Sequence, residues 1–292
     1  MKRTLAIIAI SLLLTGCAAQ SAAMQDAGGK KQEQTVVVQS SDHNYINIDL
    51  LGNLFGFTNE TGKLILVSDQ IEGTKDLQDI NSAIGENGNV VAVKYLKTQK
   101  ANEKDNGRQT SQNFDNQAGH IFEVTLGSAK GNETYYMINT SEFNTMAVSK
   151  SREGDLSEMD SDSKEEIEGI KGRKILRSWE IGRIEPDRAV YLIFFEREKD
   201  DMLASIVVKT PVKLIFKDYP AKYDESSTWR VDDGGSIYPE MFSVLFACET
   251  EKGMILGIKW MGAEGEVTTL LREQDGTFEE LEIEGSRYMA PL

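Results

Sequence analysis

The feature that most constrains this chain is the rhythm of short apolar runs and glycine turns in its C-terminal part. Glu251-Lys252-Gly253, Gly262-Ala263-Glu264-Gly265 and Gln274-Asp275-Gly276 follow one another closely. They separate Met254–Met261, Val267–Arg272 and Phe278–Ile283. A turn of a few residues joins only antiparallel neighbours, because a parallel partner needs a crossover of a dozen residues or more. Strands recurring every ~8–12 residues between glycine turns therefore predict an antiparallel meander. It is compatible with a sandwich sheet or a barrel segment. A propeller blade is set aside, because no period near 40 residues repeats.

The same pattern extends upstream. Ala189–Arg197 and Met202–Lys209 flank the turn Glu198-Lys199-Asp200-Asp201, with Lys174–Ile184, Pro211–Phe216 and Met241–Cys248 as further strands. In the N-terminal half, Thr35–Val38, Lys63–Ser68 and Asn89–Leu96 read as strands. His120–Leu126 and Thr134–Asn139 read as a pair joined by Gly127–Asn132. Thr74–Ile84 is expected to be a helix capped by Thr74, with Leu77, Ile80 and Ile84 on one face. The polar stretch 97–118, whose one large apolar residue is Phe114, is expected to be a mobile hairpin loop. Residues 150–169 carry eight acids and three bases and form either a boundary or a solvated helix, with Leu156, Met159, Ile167 and Ile170 near one face.

The predicted fold is mainly β, with α+β as the alternative. It comprises antiparallel sheets, sandwich- or barrel-like, and one or two short helices. The organisation reads as an N-terminal β-rich domain over 35–150, an acidic linker or helix over 151–172 and a C-terminal antiparallel β domain over 173–292.

With 47 acidic against 32 basic residues and a formal charge of −15, the chain repels nucleic acid and anionic lipid headgroups. No nucleic-acid partner is expected. There is no HExxH, GxSxG, CxxC or P-loop, and His43 and His120 lie too far apart in sequence to suggest a histidine-rich metal site. No catalytic residue and no cofactor is assigned. Ser161-Asp162-Ser163-Lys164 matches the two fixed positions of SxxK, but it lies in an acidic, non-apolar run, whereas a reactive serine needs a buried cleft. Cys248 sits in an apolar strand-like run and reads as a buried, inert thiol. Two features remain as candidates. Tyr219, Tyr223, Trp229 and Tyr238 fall in the polar segment 217–240, outside the expected strands, and are candidate ligand-binding residues. Asp232 and Asp233, in the turn Asp232-Asp233-Gly234-Gly235, are candidate ligands for a loose calcium site.

The N-terminus carries a different signal. Lys2 and Arg3 precede an apolar run from Leu5 to Leu14, broken only by Ser11, and Leu14-Thr15-Gly16-Cys17 closes it. A basic start and an apolar block of ~7–15 residues have the proportions of a secretory signal, too short for a permanent span. Leu14-Thr15-Gly16-Cys17 resembles the lipobox of bacterial lipoproteins. The resemblance covers the first twenty or so residues. It implies a signal peptide over 1–16, cleavage between Gly16 and Cys17, a diacylglyceryl group on Cys17, and often a third acyl chain. Several chains hold a protein on a membrane firmly. Residues 17–34, rich in Ala, Gln, Gly, Ser and Lys, would then be a lipidated flexible tether. Ala18 and Ala19 lack the aspartate that resembles an inner-membrane retention signal. The implied address is the outer membrane in a Gram-negative cell and the outer face of the cytoplasmic membrane in a Gram-positive one.

Address and missing motifs together lead to the expectation of an extracytoplasmic, membrane-anchored, non-catalytic binding module for a protein partner or ligand of the cell envelope. The alternatives are an anchored hydrolase acting on envelope polymer and a structural subunit of an envelope assembly.

Overall fold

The structure is a computed structural model, and it describes residues 44–70 and 76–290. The signal peptide, Gly16, Cys17, the tether, the strand expected at Thr35–Val38, His43 and Thr74 lie outside the described residues. The fold is mainly β. The first sheet is a closed six-stranded barrel of β1 (Phe55–Thr58), β2 (Leu64–Val67), β3 (Ser82–Gly85), β4 (Asn89–Gln99), β5 (Gly119–Leu126) and β6 (Thr134–Ile138). Its order is β1-β2-β5-β4-β3-β6, and every pairing is antiparallel. Ile65, Val67, Ala83, Val91, Phe122 and Tyr135 fill it.

Three expectations are corrected here. The helix over 74–84 is a single 3-10 turn at Leu77–Asp79 followed by β3. All four residues of β3 are buried between β4 and β6, and ladder pairing there outweighs a helical spacing of only three apolar side chains. β5 and β6 do not pair with each other. β5 lies between β2 and β4, while β6 closes the barrel between β1 and β3. The stretch 97–118 is packed down. Phe114 is buried with its edge on the Phe57 ring, and the Gln99 amide donates to the carbonyls of Phe114 and Gln117.

The second sheet has ten strands. It begins with β7 (Val148–Ser149) and β8 (Ser151–Glu153), continues after helix α1 (Ser161–Lys171) with β9 (Ile175–Ile184), β10 (Arg188–Phe195), β11 (Asp201–Lys209) and β12 (Leu214–Lys222), and ends with β13 (Phe242–Thr250), β14 (Gly253–Gly262), β15 (Gly265–Gln274) and β16 (Thr277–Tyr288). The order is β7-β13-β14-β15-β16-β12-β11-β10-β9-β8. β13 to β16 form the expected meander, and β12 meets β16 in parallel at Phe216 and Thr277. The sheet rolls, so that Val190, Leu192 and Ile206 share one core with Val244, Leu256 and Ile258. β9 closes on β13 at Gly182, where a Cβ would come within 2.9 Å of the Val244 side chain. Both sheets belong to one compact unit, His43–Leu292, and residues 151–172 contribute β8 and α1 to it.

α1 starts where Asp160 caps it, accepting the Ser163 amide at 3.0 Å, and stops at Gly172, whose φ of 62° is the left-handed conformation that favours glycine. Ile167 and Met159 pack on the outer face of the roll against Tyr191, Ile193, Phe195 and Val207. Leu156 and Ile170 stay exposed. The opposite side of the roll takes the barrel: Ile84, Tyr136 and Ile138 pack on Phe246, Cys248, Ile255 and Leu270. Gly285 in β16 admits Phe55 of the barrel, whose ring would lie 2.5 Å from any Cβ there.

A buried polar ladder runs along this junction. Lys259 of β14 reaches Glu86, in the turn after β3, and Glu133, just before β6, each at 2.6 Å. Arg287 of β16 donates to the Gln109 carbonyl at 2.8 Å, to the Asn132 side chain at 2.8 Å and to Glu266 at 3.3 Å. The Thr134 hydroxyl also donates to Glu266. Buried charges persist only when paired and hydrogen-bonded, and these are.

Candidate functional site

Alternation of the strands places the turns at 185–187, 210–213, 251–252 and 275–276 at one end of the roll. The turns at 196–200 and 263–264 and the long connection 223–241 lie at the other. The connection folds across its end of the roll because it carries apolar anchors. Ile237 is buried in the roll's core, and Trp229 sets its edge on Phe194 at 6.0 Å while its Nε1–H donates to the Tyr219 carbonyl at 2.9 Å.

Asp233 ties the connection together. Its carboxylate accepts the backbone N–H groups of Thr228 (2.8 Å), Trp229 (2.6 Å), Arg230 (2.7 Å) and Gly235 (3.0 Å). Burial acts to raise its pKa, but the backbone donors outweigh burial and hold the carboxyl below its usual range. Asp232 is exposed at φ 60°. Asp232 and Asp233 form a turn in which the partly buried Asp233 carboxylate already has four donors. Among the described residues, no three His, Cys, Asp or Glu side chains gather to hold a metal ion.

The four aromatic candidates divide. Tyr219 lies within β12, not outside the strands, with its edge on Trp260 at 5.0 Å, and burial pushes its hydroxyl pKa up. Trp229 packs inward as described. Tyr223 and Tyr238 remain exposed at the surface, and the Arg197 guanidinium covers the Tyr223 ring at 4.2 Å. Val231 is exposed on the same connection.

Between the connection and the β14–β15 hairpin opens a cleft of about 270 Å³. Met241, Trp260 and Met261 give it apolar walls, and Arg230 stands at its side. Trp260 is fixed by Phe242, whose ring centroid is 4.7 Å away, and by Tyr219. Arg230 lies against Gly262, where a Cβ would meet its Nε at 2.3 Å. Its Nη2 donates to the Gly265 carbonyl at 3.2 Å, and among the described residues no carboxylate forms an ion pair with it. Burial pushes its pKa down, while the more distant Glu264 and Glu284 pull it back up. The Trp260 Nε1–H is buried without a hydrogen-bond partner. Trp260 and Met241 carry no signal in the sequence. Trp260 ends a strand like any core residue, and only the fold brings it beside the 223–241 connection.

A larger cleft of about 600 Å³ lies at the opposite end, lined in part by Arg183, Arg188 and Lys209. Of the cations there, Arg183, Arg188 and Lys209 are paired with Glu180, Glu249 and Asp160, each at 2.6 Å, while Arg152 is exposed, and Glu185 and Asp187 add negative charge to the lining. The aromatic cleft differs from it in having apolar walls, and these make it the better candidate for an apolar ligand.

The remaining chemistry-bearing residues lie elsewhere. Cys248 is fully buried, and burial raises its thiol pKa. His120 sits in β5, within 3.4 Å of the Thr98 hydroxyl. Ser161 opens α1, and Lys164 pairs with Glu158 at 2.7 Å instead of facing a cleft. No known family model matches this chain, no curated protein is similar to it in sequence and no solved structure matches its fold.

Proposed function

We propose that this chain is a bacterial lipoprotein of the cell envelope, anchored outside the cytoplasm through lipid on Cys17, and that it works as a non-catalytic binding module for a protein partner or ligand. Leu14-Thr15-Gly16-Cys17, at the end of the apolar run, is the support for the anchor. The observation that carries the binding role is the closed end of the roll. There an apolar cleft opens beside an arginine without an ion-pair partner, and Tyr223, Val231 and Tyr238 are exposed around the same connection. Aromatic and apolar groups gathered on a rigid β scaffold suit recognition. The alternative of an anchored hydrolase asks for carboxyls with raised pKa values converging in a cleft. Among the described residues, every carboxyl with a displaced pKa is displaced downward.

The test is extraction of native membranes with mild detergent and copurification, with Cys17→Ser beside the wild type. Incorporation of a labelled fatty acid only into the wild type supports the anchor. A specific envelope protein recovered with the wild type supports the partner role. Equal release of both forms from membranes without label overturns the lipoprotein reading.

A further inference from the structure

The cleft has a defined chemistry. Its walls are apolar, and Asp233, the partly buried acid beside it, already accepts four backbone N–H groups. Arg230 is the exception. In a chain with 47 acids and 32 bases, this half-buried guanidinium stands 5.9 Å from the Trp260 ring and, among the described residues, has no carboxylate in ion-pair contact, which leaves it able to take an incoming anion. Partial burial strips it of water, which strengthens any pairing with an incoming anion. A guanidinium presents a planar fork that suits a carboxylate held by two hydrogen bonds.

We infer that the cleft binds a small aromatic carboxylate, with the ring between Met241, Trp260 and Met261 and the carboxylate on Arg230. The inference rests on reading this end of the roll as the binding surface. Two further observations shape it. The cleft, at about 270 Å³, is near the small end of ligand pockets and holds about one ring system. Asp232, which lines it, is exposed, as are Glu264 and Glu284, whose charges act on Arg230. That negative field disfavours a dianion such as phosphate and leaves a single charge with an apolar body as the better match.

The experiment is a titration of the full-length protein in mild detergent with 3-phenylpropionate and, separately, with its neutral amide, following tryptophan fluorescence. Trp179, Trp229 and Trp260 all pack at the core of the roll, and Trp260 lines the cleft. The expected result is saturable binding with the carboxylate about tenfold tighter than the amide, a preference abolished in Arg230→Gln. Asp232→Asn, at an exposed position whose positive φ suits asparagine, is expected to tighten the carboxylate about twofold or more and to leave the amide unchanged. Equal affinities for the two probes, or a preference that survives Arg230→Gln, overturn the carboxylate assignment while leaving the cleft as a binding site. No saturable change with either probe overturns the small-ligand site. The anchor and any protein partner are judged separately by the membrane copurification.

Discussion

The Lys259 ammonium sits 2.6 Å from the Glu86 carboxylate, joining a strand of the rolled sheet to a turn of the barrel. Both side chains are largely buried, and Glu133, also 2.6 Å from the ammonium, and Glu266, at 3.9 Å, complete the surroundings of the lysine. One cation thus satisfies acids from both sheets, and the polar ladder beside the apolar contacts fixes how the two sheets register on each other.

Removing that cation isolates the acids. Lys259→Met is expected to destabilise the protein by about 3–5 kcal/mol, because it leaves buried carboxylates without their partner. Adding Glu86→Gln to Lys259→Met is expected to cost less than the sum of the two single changes, since the residues share one interaction. Urea unfolding of the four proteins measures both. Additive costs would mean that the pair carries no coupling.

The same pair sets a pH dependence. For Glu86, burial acts to raise the pKa, but the charge and hydrogen bond of Lys259, with the Ser243 hydroxyl, outweigh it and hold the carboxyl below its usual value. A depressed carboxyl pKa contributes stability that is present above ~4.3, the unfolded value, and is lost as pH falls through the lower folded value. For Lys259, burial works to lower the pKa, but Glu266, Glu133 and Glu86 raise it. Its contribution is present below ~10.4 and is lost as pH rises through the folded value. Stability from this pair is therefore expected to be level from about pH 5 to 10 and to fall on the acid side. Urea midpoints of the wild type and Glu86→Gln across pH test it, and the variant should show a shallower acid limb.

Much of the rolled sheet was legible because its strands reverse at glycine turns, which mark antiparallel neighbours locally. The parallel contact of β12 with β16 and the packing of β9 against β13 join distant residues and leave no local signal. In the barrel the adjacent runs β5 and β6 looked like partners, yet closure separates them, since each strand must pair on both sides. Phe114 shows the same effect: alone in a polar stretch it looked like a loop residue, and only the fold brings Phe57, Leu66 and Ile121 of the barrel together to bury it. At the candidate site, the aromatic cluster falls on or beside the connection that bounds the cleft, but Tyr219, Tyr223, Trp229 and Tyr238 are not among the residues that line it. The walls of the cleft belong equally to Trp260 and Met261 on β14, and nothing in a strand's alternation tells a wall residue from a core residue.

Cys248 offers a check on the roll's closure against the barrel. It is fully buried at that junction, and burial pushes its thiol pKa up, so the reactive thiolate is scarce as well as inaccessible. In Cys17→Ser protein, an aromatic disulfide reagent is expected to label no thiol under native conditions and one thiol in denaturant. Fast native labelling would mean that the two sheets separate readily.

Asp233 distinguishes a turn from a metal site. If its carboxylate serves the four backbone N–H groups that surround it, Asp233→Ala leaves donors unsatisfied in a partly buried loop, at a cost of about 1–3 kcal/mol for the group. Asp233→Asn keeps an acceptor oxygen and is expected to cost less. Calcium or a chelator should leave the thermal midpoint of the wild type unchanged, because a carboxylate already saturated by donors offers little to a cation. A calcium-dependent rise in that midpoint, lost in Asp233→Asn, would instead make this turn a cation site. The loss of Asp233 should also loosen the segment that carries Arg230, so phenylpropionate affinity is expected to fall in Asp233→Ala together with stability. In Asp232→Asn the two should part, with affinity rising while the midpoint stays where it was.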